Sequence, residues 1–242
     1  MSNQDPLATQ EASRTAEVEK RKKKKSLVRE YAEAIAIAIL LALVIRTFVA
    51  QAFTIPSGSM MDTLLVGDYI LVNKFIYGAE IPSAGWHLPG LRQPQRGDIV
   101  VFKYPLDEKR DFIKRVIAIP GDQLVIRGDQ VFINGRPTLE LYVKRGSGGF
   151  VPPRYLTERR SGEPCLAQAA ATSENNPEQF GPIAIPSGYY FVMGDNRDNS
   201  QDSRYWGCLR REQIRGKAFL IYWSWNGDDG WLRWRRLGKL IW

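Results

Sequence analysis

The feature that most constrains this chain lies near its start. The basic run KRKKKK (residues 20–25) is followed at 32–52 by AEAIAIAILLALVIRTFVAQA, in which Glu33 and Arg46 are the only formal charges. As an α-helix this segment would be about 31 Å long, close to the roughly 30 Å of a bilayer core. Its densest apolar part, 34–45, is shorter than a full span, so a buried soluble helix and the apolar region of a cleaved signal peptide remain alternatives. The AQA at 50–52 has the small-x-small form of a cleavage site, but Arg46 and Phe48 interrupt the approach to it. An uncleaved transmembrane anchor over 32–52 is expected. Lys and Arg flanking such a segment stay on the cytoplasmic side. The reading therefore places a tail, 1–31, in the cytoplasm and 53–242 outside a bacterial cytoplasmic membrane.

That placement also explains the charge. A formal +8 invites a nucleic-acid partner, but the basicity concentrates beside the apolar segment and in RWRR at 233–236. A lipid bilayer is the expected partner, and no nucleic acid. Apolar residues make up 44% of the chain and aromatics 11%, enough for a sizeable core. Beyond residue 52, short β-rich runs such as DYILVNKFIYG, GDIVVFKYP, GYYFVMGDN and GKAFLIYWSW are punctuated by Gly, Pro, Asp and Asn, and IRGDQVFING reads as a hairpin. Residues 145–182 carry RGSGG and SENNPEQFG without a strong period and read as an irregular insertion or smaller lobe. The expected fold is mainly β: an N-terminal transmembrane helix, then an extracytoplasmic antiparallel sheet or barrel-like catalytic domain with that inserted lobe. Five of the seven tryptophans fall near the end. Trp223 and Trp225, in a strand-like run, are expected in the core. Trp231, Trp234 and Trp242, interleaved with Arg233, Arg235 and Arg236, are expected at a membrane interface.

Cys165 and Cys208 are the only cysteines, which permits one bridge and implies no framework. His87 is the only histidine, so a Ser-His-Asp triad or a His-based zinc site must use it; no metal site is expected. In FTIPSGSMMDTL (53–64), Ser57 and Ser59 stand among turn formers. For a serine there to act as nucleophile, a neighbour must take its proton, and besides histidine the available base is a lysine kept neutral by burial. In DFIKRVIAIPGD, strand alternation puts Lys114 between Phe112 and Val116, but Arg115 is as awkward on the other face, so alternation alone does not single out Lys114. A third stretch, MGDNRDNSQDSRYWG (193–207), alternates Asp195, Asp198 and Asp202 with Arg197, Arg204, Ser200 and Ser203. A calcium loop would need an oxygen ligand where Arg197 stands and a glycine where Ser200 stands. A loop of Asp–Arg pairs and hydroxyls that braces a neighbour fits better.

Taken together, IPSGSMMDTLLVGDYILVNKFIYG, RGDIVVFKYP, DFIKRVIAIPGD and GDNRDNSQDSRYWG, in that order behind an anchor, resemble the bacterial type I signal peptidases, membrane-anchored Ser-Lys endopeptidases. The resemblance is weakest over 145–182. It implies Ser59 as nucleophile, Lys114 as general base, and Ser57 with the Ser59 N–H as oxyanion hole. It further implies that Ser200 orients the lysine amine and that Asp195, Arg197, Asp202 and Arg204 brace the site. The expected substrates are preproteins bearing signal peptides, cut after small-x-small sites, and no cofactor is implied. Substrate binding is expected at Ile55, Met60, Leu64, Phe112 and Ile113: an extended chain pairs with strand edges near Ile55 and Phe112–Lys114, and Ile55, Met60, Leu64 and Ile113 build shallow apolar pockets. Asp62 departs from the family pattern, which usually has Pro there. A related self-cleaving repressor should carry a DNA-binding module in place of a membrane segment, and a catalytically inactive β module would not need Ser59 and Lys114.

Overall fold

The computed structural model describes residue 14 and residues 27–41, 50–78, 89–144, 163–173, 179–227 and 230–242. The basic run 20–25, His87, residues 42–49 of the expected anchor, and residues 145–162 and 174–178 of the expected insertion lie outside the described residues. The chain divides into two units, Met1–Thr47 and Phe48–Trp242.

In the first unit, residues 27–41 form a helix, α1, whose apolar side chains are exposed throughout, with Ile37 at 66% and Val28 at 70%. Arg29 pairs with Glu33 one turn on, at 2.8 Å. Among the described residues no helix is long and apolar enough to cross a membrane. The far end expected for the anchor is corrected: residues 50–52 belong to strand β1 (Ala50–Thr54), not to a helix. The strand pairs antiparallel with one neighbour, with Ala50 opposite Asn73 and Thr54 opposite Tyr69.

In the second unit the strands after β1 are β2 (Asp68–Asn73), β3 (Ile99–Tyr104), β4 (Asp107–Ala118), β5 (Gln123–Arg127), β6 (Gln130–Ile133), β7 (Arg136–Pro137), β8 (Gln179–Ala184), β9 (Tyr189–Met193), β10 (Leu209–Arg210), β11 (Ile214–Asn226), β12 (Trp231–Leu232) and β13 (Lys239–Leu240). Among the described residues, one sheet runs β1-β2-β11-β3-β4-β9-β10, with β12 and β13 also on β11, and a second runs β7-β6-β5-β8. All these pairings are antiparallel. The large sheet ends at β1 and β10 without pairing them, so the barrel-like form expected from the sequence does not close. The hairpin expected in IRGDQVFING is β5–β6, turning between Arg127 and Gln130.

Three strands or their approaches begin from one repeated device. Gly67, Gly97 and Gly121 take φ of +87°, +88° and +88°, a region that disfavours other residues. Each is followed by a buried aspartate. Asp68, Asp98 and Asp122 each accept from the backbone N–H three residues earlier, that of Leu65, Gln95 and Ile119, at 2.8, 2.9 and 3.0 Å. Each also binds a guanidinium, from Arg236, Arg92 and Arg96 respectively. Asp98, Asp122 and their partners show how a buried carboxylate stays charged: burial works against ionisation, and the guanidinium and N–H bonds outweigh it, holding both carboxyls below their usual range.

The insertion expected over 145–182 is not irregular throughout. It contains helix α2 (Pro164–Ser173), and its last residues, 179–182, already belong to β8. Cys165 at the start of α2 is disulfide-bonded to Cys208, which packs with it in the core of the second sheet. Among the described residues the one group of possible metal ligands is Glu163 with these two cysteines, and the sulfurs are already bonded to each other. Glu163 instead accepts from the Cys208 N–H at 2.8 Å.

The expectation that Trp223 and Trp225 are core residues is also corrected, since they are 42% and 43% exposed. The register of β11 against β2 shifts between Ile221 and Trp223. Ile221 and Ser224 therefore take the inward positions, and both tryptophans are turned out. Trp231, Trp234 and Trp242 are 74%, 70% and 81% exposed. Of the interleaved arginines, Arg236 faces inward to Asp68 and Arg233 donates to Val66 O and Asn226 Oδ1, so these two hold the fold together.

Candidate active site

Ser59 sits in a 3₁₀ turn, Gly58–Met60, that begins a few residues after β1 ends at Thr54. The turn points successive side chains in different directions: Met60 is fully buried, while Ser59, 7% exposed, lines a cleft of about 510 Å³. Lys114 lies in β4 where the strand's neighbours change. It is opposite Val100 of β3, but β9 joins β4 only from Arg115 onward, so the edge of β4 before Lys114 is free of β9. The cleft opens there, walled by Pro56, Ser57 and Gly58 on one side and by Arg110, Asp111, Phe112 and Ile113 on the other, with Asn199 and Gln201.

Lys114 Nζ lies 2.6 Å from Ser59 Oγ and also donates to Ile113 O at 3.0 Å. The lysine is 4% exposed, and its Nζ stands 5.5 Å from the centre of the Phe112 ring. Burial pushes its pKa down from 10.5 to about 8; Asp202 and Asp195 pull it back up, and Arg204 lowers it further.

The loop after β9 supplies the surroundings. Asp195 takes a two-pronged ion pair from Arg115, at 2.9 and 2.7 Å, and accepts from Thr63 Oγ1 at 2.6 Å. The awkward second cation of β4 thus has its partner, and its guanidinium also lies 3.9 Å from the centre of the Tyr142 ring. Asp202 is completely buried. Burial opposes its charge, but Arg204, the Gly194 N–H and Ser200 Oγ outweigh that and hold its pKa below the usual carboxylate range. Ser200 donates to Asp202 at 2.7 Å; among the described residues no hydrogen bond joins it to Lys114. Arg197 is bound at both prongs by Glu140, at 2.8 and 2.5 Å, and Arg204 donates to Arg197 O at 2.7 Å.

Ser57 is exposed and lines the cleft. Of the five apolar residues expected to bind substrate, Phe112 and Ile113 line it. Ile55, Met60 and Leu64 are 2%, 0% and 0% exposed and pack with Ile113 in the core behind the cleft wall. They support the wall and offer a substrate no surface. Asp62 is exposed and lies 3.3 Å from Lys144. Sequence reasoning missed Glu140, Tyr142 and Asn196. Asn196 donates from its backbone N–H to Ser59 O at 3.1 Å and from its side-chain amide to Gly58 O at 3.0 Å. An Asn inside a polar loop reads as a turn former, and no local signal marks a contact 138 positions away.

The profile of the family described as signal peptidase, peptidase S26, matches residues 28–223. A signal peptidase I from Pseudomonas fluorescens is 38% identical over 84% of this chain and 75% of its own length. One from Aquifex aeolicus is 40% identical over 77% of this chain and 80% of its own. A crystal structure of a signal peptidase I from Enterococcus faecalis V583 aligns at 30% identity over 52% of this chain and 97% of that chain, with a TM-score of 0.38. With a matching profile over most of its length and relatives at these identities, the chain belongs to the signal peptidase, peptidase S26, family.

Proposed function

We propose that this protein is a membrane-bound serine endopeptidase that removes signal peptides from exported preproteins after small-x-small sites, with Ser59 as nucleophile and Lys114 as general base. The observation that carries the reading is the 2.6 Å approach of a buried lysine amine to a serine hydroxyl at the floor of an open cleft. With its pKa lowered to about 8, about a tenth of the lysine is neutral at pH 7, where an unshifted lysine would be almost wholly charged. Neutral Nζ takes the Ser59 proton as Oγ attacks the scissile carbonyl carbon. The tetrahedral intermediate collapses with cleavage of the C–N bond, and the ammonium returns its proton to the departing amine. The Lys114 amine then takes a proton from water as the water oxygen attacks the acyl carbon, and it returns that proton to Ser59 Oγ as the ester C–O bond breaks. The Ser57 hydroxyl and the Ser59 N–H hold the oxyanion. Asp202, fixed by Arg204 and Ser200, sets the field around the amine, while Arg115–Asp195 and Arg197–Glu140 keep the loop in place.

An extended substrate adds to the open edge of β4 before Lys114, with backbone hydrogen bonds supplying affinity and the shallow wall at Phe112 and Ile113 favouring small side chains. Incubation with a preprotein of known signal sequence and mass analysis of the products tests this. One cut directly after the small-x-small site is expected, and placing a bulky residue immediately before the cut should abolish it. Cleavage insensitive to that change would overturn the specificity.

The same reading places the anchor in a bacterial cytoplasmic membrane with the basic tail inside and the β unit outside. The exposed apolar face of α1 and the Cys165–Cys208 disulfide, suited to an oxidising compartment, support it. The five outward-turned tryptophans form the surface that meets the outer leaflet. In vesicles with brominated acyl chains, tryptophan fluorescence of the full chain should be quenched. Replacing Trp231, Trp234 and Trp242 together by Ser should remove more than about half of that quenching. Undiminished quenching would count against the surface.

A further inference from the structure

We propose that Asn196 is a positioning residue for the oxyanion hole. The argument begins with the peptide bond. Each peptide unit is planar and trans, so its N–H points opposite its C=O, and holding the oxygen aims the hydrogen. The unit that carries the Ser59 N–H has Gly58 O as its carbonyl; the unit after Ser59 has Ser59 O. Asn196 binds both, Nδ2 to Gly58 O at 3.0 Å and backbone N to Ser59 O at 3.1 Å. Both planes flanking the nucleophile's Cα are thereby held from one residue of another element. Among the described residues the Ser59 N–H itself meets no acceptor.

The need for such a clamp follows from Gly58. A glycine before the serine makes rotation of the Gly58–Ser59 plane easy, because no Cβ opposes it. The other donor to Gly58 O, the Met61 N–H at 3.1 Å, comes from the same turn and moves with it. Asn196 is tied elsewhere: the Asn199 N–H donates to its carbonyl, and it bridges to Lys144. It therefore ties the serine turn to the loop that surrounds Lys114, and it does so without touching substrate or the reacting atoms.

The proposal rests on Ser59 as nucleophile, and its test separates the two. Full-length Asn196→Asp, nearly equal in volume but lacking the side-chain donor, and Asn196→Ala are compared with wild type on a preprotein. Both should lower kcat by about 10- to 100-fold, less than outright loss of an oxyanion donor, with KM within about twofold. A peptide aldehyde ending in a small residue forms a hemiacetal with Ser59 Oγ whose oxygen occupies the hole. Its affinity should fall by the same factor as kcat, while the matching peptide amide binds unchanged. Wild-type kcat in both variants overturns the proposal, as does a fall in kcat with the aldehyde's advantage over the amide intact, which is what a merely structural role would give. Retained cleavage by Ser59→Ala overturns the underlying reading and the proposal with it.

Discussion

Replacing Ser59 by Ala or Lys114 by Met is expected to lower signal-peptide cleavage by about 10⁴-fold or more, and the double variant should be hardly worse than either alone. The two groups perform one proton transfer, so removing either removes it. Methionine is close to the lysine's stem in length and shape and removes the amine that stands 5.5 Å from the Phe112 ring centre. His87→Ala should keep full activity. The wild-type pH profile carries the sign of the base. Lys114 acts only when neutral, so kcat/KM should rise tenfold per pH unit below about 8 and level off above it. A plateau already reached near pH 6.5 would point to histidine instead.

The same shift also makes a stability prediction. The folded pKa lies below the 10.5 of the free side chain. Between about 8 and 10.5 the unfolded chain binds more protons, so stability rises with pH across that window. Below it the full burden remains, roughly 3 kcal/mol from a shift of this size. Lys114→Met should thus be more stable than wild type near pH 7, by up to about 3 kcal/mol, as read by denaturant unfolding. An inactive variant that is also destabilised would mean that burial of the amine costs the fold little.

The distribution of what could be read from the sequence follows from the range of the interactions. Strand alternation and turn glycines are local, so most strands and the β5–β6 hairpin were legible from patterns within a few residues. The open ends of the large sheet were not, because closure depends on where β1 and β10 fall in the strand order. Trp223 and Trp225 look like core residues because alternation assumes an unbroken register, and the shift in β11 breaks it. Lys114 could not be separated from Arg115 by period alone. The distinction lies in their partners, Ser59 for one and Asp195 for the other, which are 55 and 80 positions away. Met60 lies next to the serine and Leu64 five residues on, yet both are buried in the core behind it, Met60 by way of the 3₁₀ turn. Glu140 and Asn196 escaped notice for the converse reason: Glu140 has no marked neighbour, Asn196 reads as a turn former between the charged Asp195 and Arg197, and the fold brings both to the site.

Gly194→Ala is expected to lower kcat by about 10²- to 10³-fold while KM stays near its wild-type value. The glycine ends β9 where three elements meet. A Cβ built there would lie 2.5 Å from Ser59 O and 2.5 Å from Ser200 Cβ, and it would also strike Ser200 Oγ. Two of these neighbours belong to a side chain already committed to Asp202, and the third is backbone of the nucleophile's own turn. None is a flexible chain end that can swing aside. Relief therefore moves either the Ser59 turn away from Lys114, lengthening a 2.6 Å contact, or the loop that fixes Asp202 through the Gly194 N–H. Displacements near 1 Å at a reacting pair cost about 10² in rate, and overpacking a tight site costs about 1–3 kcal/mol of stability. Gly227→Ala is the control, because a Cβ there meets nothing within 4 Å, and it should leave both rate and stability unchanged. If Gly194→Ala cleaved at the wild-type rate, the serine turn would be free to shift without loss, and the close packing of Gly194 against Ser59 would have no part in catalysis.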